Sequence, residues 1–151
     1  MTDEIESFSA LLRVALGDRI AADATSFLDM LADDAVMDFP YAPPGMTTRL
    51  DGKAAIARHL QDLGGQIAFD RMGHPTVFAT TDADVTLVEF DGFGRGVSTG
   101  EPYDQRYLSI IRTRDGRIVH YRDYWNPLVI LRALRGAAVV DALAGEAADH
   151  G

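Results

Sequence analysis

"RTRDGRIVHYRDYWNPL", residues 112–128, contains the sequence signals of both a turn and a helix start, and these signals indicate the fold of the chain. Asp115-Gly116 stands between two runs of alternating residues, and Asp-Gly is a preferred two-residue loop for a tight β-hairpin. Asn126 followed by Pro127 is typical of an N-cap and a first helical position. The stretch therefore predicts an antiparallel hairpin whose second strand leads directly into a helix.

The same turn predicts which residues stand opposite each other in the hairpin. A two-residue loop places Arg114 opposite Arg117, and the register then continues to Leu108 opposite Asp123. A loop of another length would shift this register by one residue. The face predicted to point inward carries Arg106, Leu108, Ile110, Val119, Tyr121, Asp123 and Trp125. The face predicted to point outward carries Tyr107, Ser109, Ile111, Ile118, His120, Arg122 and Tyr124.

The rest of the chain predicts helices first and strands afterwards. Apolar residues recur at helical spacing from Ile5 to Leu16 after a helix start at Thr2, again within residues 23–34, and in a third helix after Asp51. A short strand at residues 35–41 separates the second helix from the third. Further strands are predicted at about residues 66–72, 75–80, 84–93, 103–114 and 117–125. This order predicts one α+β domain over residues 1–151 with a mostly antiparallel sheet.

The composition narrows the classes of partner. A formal charge of −9 repels the phosphates of nucleic acids and disfavours binding to them, so no nucleic-acid partner is expected. No apolar run approaches the roughly 20 residues that span a bilayer, so no membrane partner is expected either. The acidic start "MTDEIESF" differs from a signal peptide, which favours a cytoplasmic protein. The chain has no cysteine and therefore no thiol nucleophile.

Asp123 is the first candidate for chemistry, because it lies among aromatic residues at the end of the predicted strand. Desolvation beside Tyr121 and Trp125 raises the pKa of a carboxyl, whereas a nearby Arg106 lowers it, and the balance can leave the group active near neutral pH. The alternative is a structural Arg-Asp ion pair at the end of the sheet, which perturbs titration without chemistry.

His59 is the second candidate, because it is the only polar member of the stripe formed by Ile56, Leu60 and Leu63 on the third helix. A lone histidine on such a stripe is more often a half-buried core residue, and that alternative stays open here. The other histidines lack ligand spacing, so no metal site is expected. "GFGRG" at residues 92–96 precedes no helix, so its glycines indicate a bulge or a strand end.

These motifs, taken in order, resemble those of a known family. "LADDAVMDFPY", "LDGKAAIARHLQDLGG" and "DGRIVHYRDYWNPL" resemble the SnoaL-like and ketosteroid-isomerase-like families of the nuclear transport factor two-like superfamily. "EFDGFGRG", "YDQRYLSIIRTRDGRI" and "YRDYWNPLVILRALRG" are most similar to the A and B proteins of phenazine biosynthesis. The resemblance implies a cone-shaped curved antiparallel sheet, wrapped by three N-terminal helices with a C-terminal helix, around a deep pocket in a homodimer.

The resemblance also implies roles for particular residues. Asp123 matches the acid-base aspartate of SnoaL-type polyketide cyclases, and His59 matches the ligand-facing histidine of the phenazine proteins. The pattern of steroid isomerases fails, because their base, protonated acid and tyrosine fall near Phe39, Arg106 and Ala15. A classical steroid reaction is therefore not expected.

Together these points predict a cofactor-independent enzyme that transfers a proton on a planar or polycyclic carbonyl or imine compound, either neutral or anionic. Asp123 and His59 are its expected catalytic residues, and Arg106 its expected contact to a carboxylate or enolate-like oxygen. The expected pocket wall consists of Met37, Phe39, Tyr41, Leu108, Tyr121 and Trp125. Isomerase, cyclase, dehydratase and condensing reactions all remain open.

Two alternatives use the same fold without catalysis: a protein that only binds a small molecule, and a dimeric scaffold whose pocket is incidental. An enzyme should have a cavity that Asp123 and His59 share, whereas a scaffold should have a filled or shallow one. For the homodimer, the predicted interface is the outward face with Tyr107, Ile111, Ile118 and Tyr124, which is too apolar to be left in water.

Overall fold

The computed structural model describes residues 4–5 and 7–149 and has the predicted α+β class. The helices are α1 (Phe8–Leu16), α2 (Phe27–Met30), α3 (Lys53–Gly64), α4 (Pro127–Arg135) and α5 (Ala137–Asp149). The strands are β1 (Glu4–Ile5), β2 (Leu31–Asp38), β3 (Arg49–Asp51), β4 (Ile67–Gly73), β5 (Thr76–Ala79), β6 (Val85–Gly96), β7 (Pro102–Arg114) and β8 (Arg117–Trp125).

The helix starts differ from the predicted ones at the N-terminal end. The predicted start at Thr2 lies outside the described residues, and α1 begins after Ser7, whose side chain accepts a hydrogen bond from the Ala10 N–H. Ile5 belongs to β1, where it pairs with Met72. The second helix is a single turn capped by Ser26, because strand β2 already begins at Leu31. Asn126 caps α4 with Pro127 at its first position, as predicted.

The strands form one curved, unclosed sheet in the order β1-β4-β6-β7-β8-β2-β3, and β5 also pairs with β6. All pairs are antiparallel except β2 with β8. The buried face of β7 carries the odd-numbered residues from Tyr103 to Thr113, and helices α1, α3 and α4 cover this side of the sheet. The core therefore lies between the concave face of the sheet and the helices.

A β-bulge in the central hairpin makes the predicted register wrong over most of its length. Arg114 does pair with Arg117, and the turn uses positive φ at Asp115 and Gly116 as an Asp-Gly turn requires. Beyond Thr113, however, β8 contains one extra residue, Val119, because Arg112 pairs with His120. Asp123 therefore stands opposite Ser109 and not opposite Leu108.

The shift reverses the predicted face of β7. Leu108 and Ile110 lie on the outer face, whereas Tyr107, Ser109 and Ile111 are buried on the inner face. Ile118, also predicted to point outward, is fully buried. The outward face predicted for the dimer interface therefore keeps only Tyr124 of its four named residues.

The glycines of "GFGRG" have a steric role at the end of β6. A Cβ on Gly94 would overlap the carbonyl oxygen of Ala68 in β4, and a Cβ on Gly96 would overlap that of Ala133 in α4. Gly96 is the last residue of β6, and β4 has a register shift opposite Gly94. The prediction of a bulge or strand end is confirmed, and the glycines allow α4 to approach the sheet closely.

Candidate active site

A cavity of about 520 Å³ opens between the concave face of the sheet and the helices. Its walls are mainly aromatic and aliphatic, with Phe8, Phe39, Phe69, Phe90, Trp125, Met37, Met46, Met72, Leu60, Leu63 and Ile130 among the lining residues. Its polar side chains are those of Thr47, His59, Asp62, Gln66, Tyr103, Tyr107, Tyr121 and Asp123. A concave apolar site with a few convergent polar groups is the usual form of a small-molecule site.

Asp123 lies on β8 inside this cavity and is only 7% exposed. Burial raises the pKa of its carboxyl to about 8, because the ionised form loses its hydration; the hydrogen bond from Ser109 opposes this shift. Among the described residues no arginine opposes this shift, because the expected partner Arg106 pairs with Asp91 instead. Asp123 is therefore mostly protonated at pH 7.

A short hydrogen-bond chain orients the Asp123 carboxyl. Ser109 Oγ lies 3.1 Å from Asp123 Oδ1 and 2.9 Å from Tyr121 Oη. A serine hydroxyl has a single hydrogen, so it donates to one neighbour and accepts from the other. When Asp123 is ionised, Tyr121 donates to Ser109 and Ser109 donates to the carboxylate. When Asp123 is protonated, the carboxyl can donate its proton to a ligand or accept a hydrogen bond from it through its second oxygen.

His59 reaches the same cavity from α3, where it stacks on Phe39 with ring centroids 5.3 Å apart. Partial burial lowers the pKa of His59 because it disfavours the imidazolium, and the charge of Asp62 opposes this only in part. The Phe39 ring in turn lies 6.2 Å from that of Trp125. His59 is therefore held in a ring stack and is neutral at pH 7.

Two tyrosines that were not among the predicted site residues also line the cavity. Tyr103 and Tyr107 occupy the inner face of β7, and their hydroxyl oxygens lie 2.8 Å apart. Burial raises the pKa of Tyr103 to about 12 and that of Tyr107 well above its usual value, so both are neutral phenols. They were missed because the predicted register placed Tyr107 outward.

Three predicted pocket residues lie outside the cavity. Arg106 is on the outer face of β7, where its Nε donates to Asp91 Oδ1 at 2.9 Å. Leu108 shares that face because of the bulge at Val119. Tyr41 is 59% exposed and packs edge-on against Tyr124, since strand β2 ends at Asp38 and the chain turns away after Phe39. The expected contact between Arg106 and a ligand is therefore wrong.

The other predicted site residues line the cavity: Met37, Phe39, His59, Tyr121, Asp123 and Trp125. Asp38, outside the cavity, is part-buried beside β8, where its carboxylate accepts hydrogen bonds from His120 at 2.9 Å and Arg122 at 3.2 Å. No helix in the described part of the chain is both long enough and apolar enough to cross a membrane.

The chain is similar in sequence to known proteins. The sequence profile of the SnoaL-like domain matches residues 11–121. The chain belongs to the SnoaL-like family. The Bacillus subtilis protein YesE, itself uncharacterized, is 41% identical to this SnoaL-like chain over 137 residues, which cover 91% of the chain and 93% of YesE. An uncharacterized PhzA/B-like protein of Pseudomonas aeruginosa is 40% identical over 76% of this chain and 80% of its own.

A solved structure supports the same assignment. The crystal structure named "Putative Isomerase from Bacillus subtilis" is 42% identical in sequence and superposes with a TM-score of 0.72. The match covers 84% of this SnoaL-like chain and 91% of that protein. The predicted resemblance to SnoaL-like and PhzA/B-like proteins is thus confirmed.

Proposed function

We propose that this SnoaL-like protein is an enzyme that moves a proton next to the carbonyl or imine group of a planar or polycyclic compound. The observation that carries the proposal is that Asp123 and His59 line one cavity whose walls are mainly apolar. Burial raises the pKa of the Asp123 carboxyl to about 8 and lowers that of His59. At pH 7 the cavity therefore offers an acid and a neutral base together, and environments that push two pKa values apart identify acid and base roles.

In this mechanism His59 is the base and Asp123 the acid. The C–H bond beside the carbonyl breaks, its proton moves to a ring nitrogen of His59, and its electron pair forms a C=C bond. The carbonyl oxygen takes the proton of Asp123, which leaves an enol, a carboxylate and an imidazolium. Ser109 and Tyr121 stabilise the new carboxylate through their hydrogen-bond chain.

The fate of the enol defines the reaction type. Return of the proton to another carbon is an isomerisation, and attack of the enol carbon on a second carbonyl is a cyclisation or condensation. Loss of a neighbouring hydroxyl is a dehydration. All of these use the same two side chains, and the aromatic walls around Phe39, Phe90 and Trp125 favour a flat substrate.

The test measures deuterium uptake from D₂O by a panel of planar ketones. NMR follows it as the loss of the signal from the proton on the carbon next to the carbonyl. We expect the protein to accelerate exchange for at least one polycyclic ketone, because exchange needs only the first proton transfer. Binding without exchange across the whole panel would overturn the enzymatic proposal and favour a binding protein of the same fold.

We also propose that the protein is a homodimer, through a surface other than the one predicted from the sequence. Phe78, Leu87 and Ile110 form a cross-strand row on the outer face of β5, β6 and β7, and Phe78 is 47% exposed. An apolar row of this kind is the sort of surface that a second copy covers in a symmetric dimer.

Light scattering at micromolar concentration should give about twice the chain mass of 16.4 kDa. The Leu87→Lys variant should shift the mass to the monomer, and a monomeric parent protein would contradict the proposal.

A further inference from the structure

The Tyr103–Tyr107 hydroxyl pair is a polar feature of the cavity that the proton-transfer mechanism does not use. Both residues lie on the inner face of β7 and are 3% and 8% exposed. The Tyr107 ring stacks on Phe90 with centroids 4.9 Å apart, and the Tyr103 ring meets Phe69 edge-on at 5.6 Å. These contacts hold the two hydroxyls in place inside the cavity.

The pair has one hydrogen more than it needs for itself. Two phenol groups carry two hydrogens, and the bond between their oxygens, 2.8 Å apart, uses one of them. The Gln105 side chain also hydrogen-bonds Tyr103, as a donor, since its own oxygen accepts from the Asn126 N–H. Within the described part of the chain, no acceptor outside the pair is hydrogen-bonded to either hydroxyl. The second hydrogen is therefore available to a ligand, and buried donors are rarely left without an acceptor.

The charges around the cavity disfavour ligands that carry a carboxylate. Among the described residues, the lining includes the carboxyl groups of Asp62 and Asp123 but no lysine or arginine. A ligand carboxylate would meet no cation in an apolar site, and burying an unpaired charge is costly. The whole chain carries a charge of −9, which opposes anions further.

We propose that the Tyr103–Tyr107 pair is a hydrogen-bond-donating subsite that binds an oxygen of an uncharged, planar ligand and thereby determines specificity. The subsite rests on the proposed function only in that the cavity is the ligand site. It selects for oxygen because a ligand without an acceptor leaves the second tyrosine hydrogen unpaired. It selects against carboxylates because no cation receives them.

The test measures binding alone, with three naphthalene probes of similar shape. These are 2-acetylnaphthalene, 2-isopropenylnaphthalene, which replaces the oxygen by CH₂, and 2-naphthoate. Trp125 is the only tryptophan and lines the cavity, so its fluorescence, corrected for probe absorption, reports occupancy. For the parent protein we expect the ketone to bind at least tenfold more tightly than either of the other two probes.

The deciding variant is the double substitution Tyr103→Phe with Tyr107→Phe, since either single change leaves one O–H free. The matched control is Tyr41→Phe with Tyr124→Phe, a contacting pair outside the cavity. The cavity variant should lose the ketone preference to within about threefold while the control keeps it, and thermal melting of both checks folding. If the cavity variant melts early, all variants are compared below its melting temperature, where the same loss of preference is expected.

Three results would overturn this inference: an unchanged ketone preference in the folded cavity variant, naphthoate binding as tight as ketone binding, or no ketone binding by the parent protein. Deuterium exchange is read separately. Ketone preference without exchange would refute the enzymatic proposal and leave the subsite intact, whereas exchange without ketone preference would do the reverse.

Discussion

Asp123→Asn is expected to lower the rate of deuterium exchange at a substrate ketone by about 10²- to 10⁴-fold, the range for loss of a positioned general acid. The amide keeps the size and much of the hydrogen bonding of the carboxyl beside Ser109, but it cannot deliver a proton. The loss should appear in the rate of exchange much more than in ligand affinity. NMR exchange rates at saturating ketone measure it.

The pH dependence of the parent protein tests the assignment of roles. With Asp123 as acid, exchange falls as pH rises through about 8, where the carboxyl loses its proton. With neutral His59 as base, exchange falls on the acidic side, below the usual histidine pKa of 6.5, since burial lowers the pKa of this ring. Exchange that instead increases through pH 8 would make Asp123 the base and contradict the proposed order.

Two further variants complete this test. His59→Gln should also lower exchange, and the fall on the acidic side should disappear with the imidazole. Asp91→Asn is the matched carboxyl-to-amide control, because Asp91 pairs with Arg106 on the outer face of the sheet. Its exchange rate should equal that of the parent. A loss in this control as large as that in Asp123→Asn would show a general effect on folding.

The hairpin explains how far the sequence predicted the site. The Asp-Gly turn and the Asn-Pro helix start predicted the two ends of β8 and the inward direction of Tyr121 and Asp123. The bulge at Val119 was not predicted, because a valine in a strand carries no sign of a bulge. A one-residue shift changes the face of every residue on the partner strand, so Arg106 and Leu108 were placed inside.

A signal for the correct face of β7 was nevertheless present in its own sequence. In residues 103–114 the charged residues Asp104, Arg106, Arg112 and Arg114 all have even numbers, whereas Tyr103, Gln105, Tyr107 and Ser109 alternate with them. Charged positions on alternating residues indicate the solvent face of a half-buried strand. This internal alternation should have outweighed the register inferred from the turn, and it would have identified the tyrosine pair and Ser109.

His59 and Tyr41 illustrate the same limits. The stripe on α3 was sufficient to place His59 over the sheet, because helical periodicity fixes which side chains face inward. Tyr41 was placed by continuing the alternation of β2 past its end. The strand stops at Asp38 before Pro40, and Tyr41 lies in a turn at the surface.

The second large effect concerns stability, since Asp123→Asn is expected to make the protein more stable near neutral pH. Burial raises the pKa of Asp123 from 3.8 to about 8, so between these values the folded protein binds a proton that the unfolded chain has released. Stability then decreases as pH rises, by up to about 1.4 kcal/mol for each pH unit, and is unaffected by this group below the lower value. The amide does not ionise and escapes this loss.

The difference in the free energy of unfolding between Asp123→Asn and the parent should therefore grow from pH 4 to pH 8 and then level off. Urea unfolding at a series of pH values measures it, and we expect a gain of a few kcal/mol by pH 8. Asp91→Asn should show no such growth. If Asp123→Asn were instead destabilising by the same amount at every pH, the carboxyl would be a satisfied structural group. A gain in stability together with lost exchange is what a carboxyl retained for chemistry, against its desolvation cost, requires.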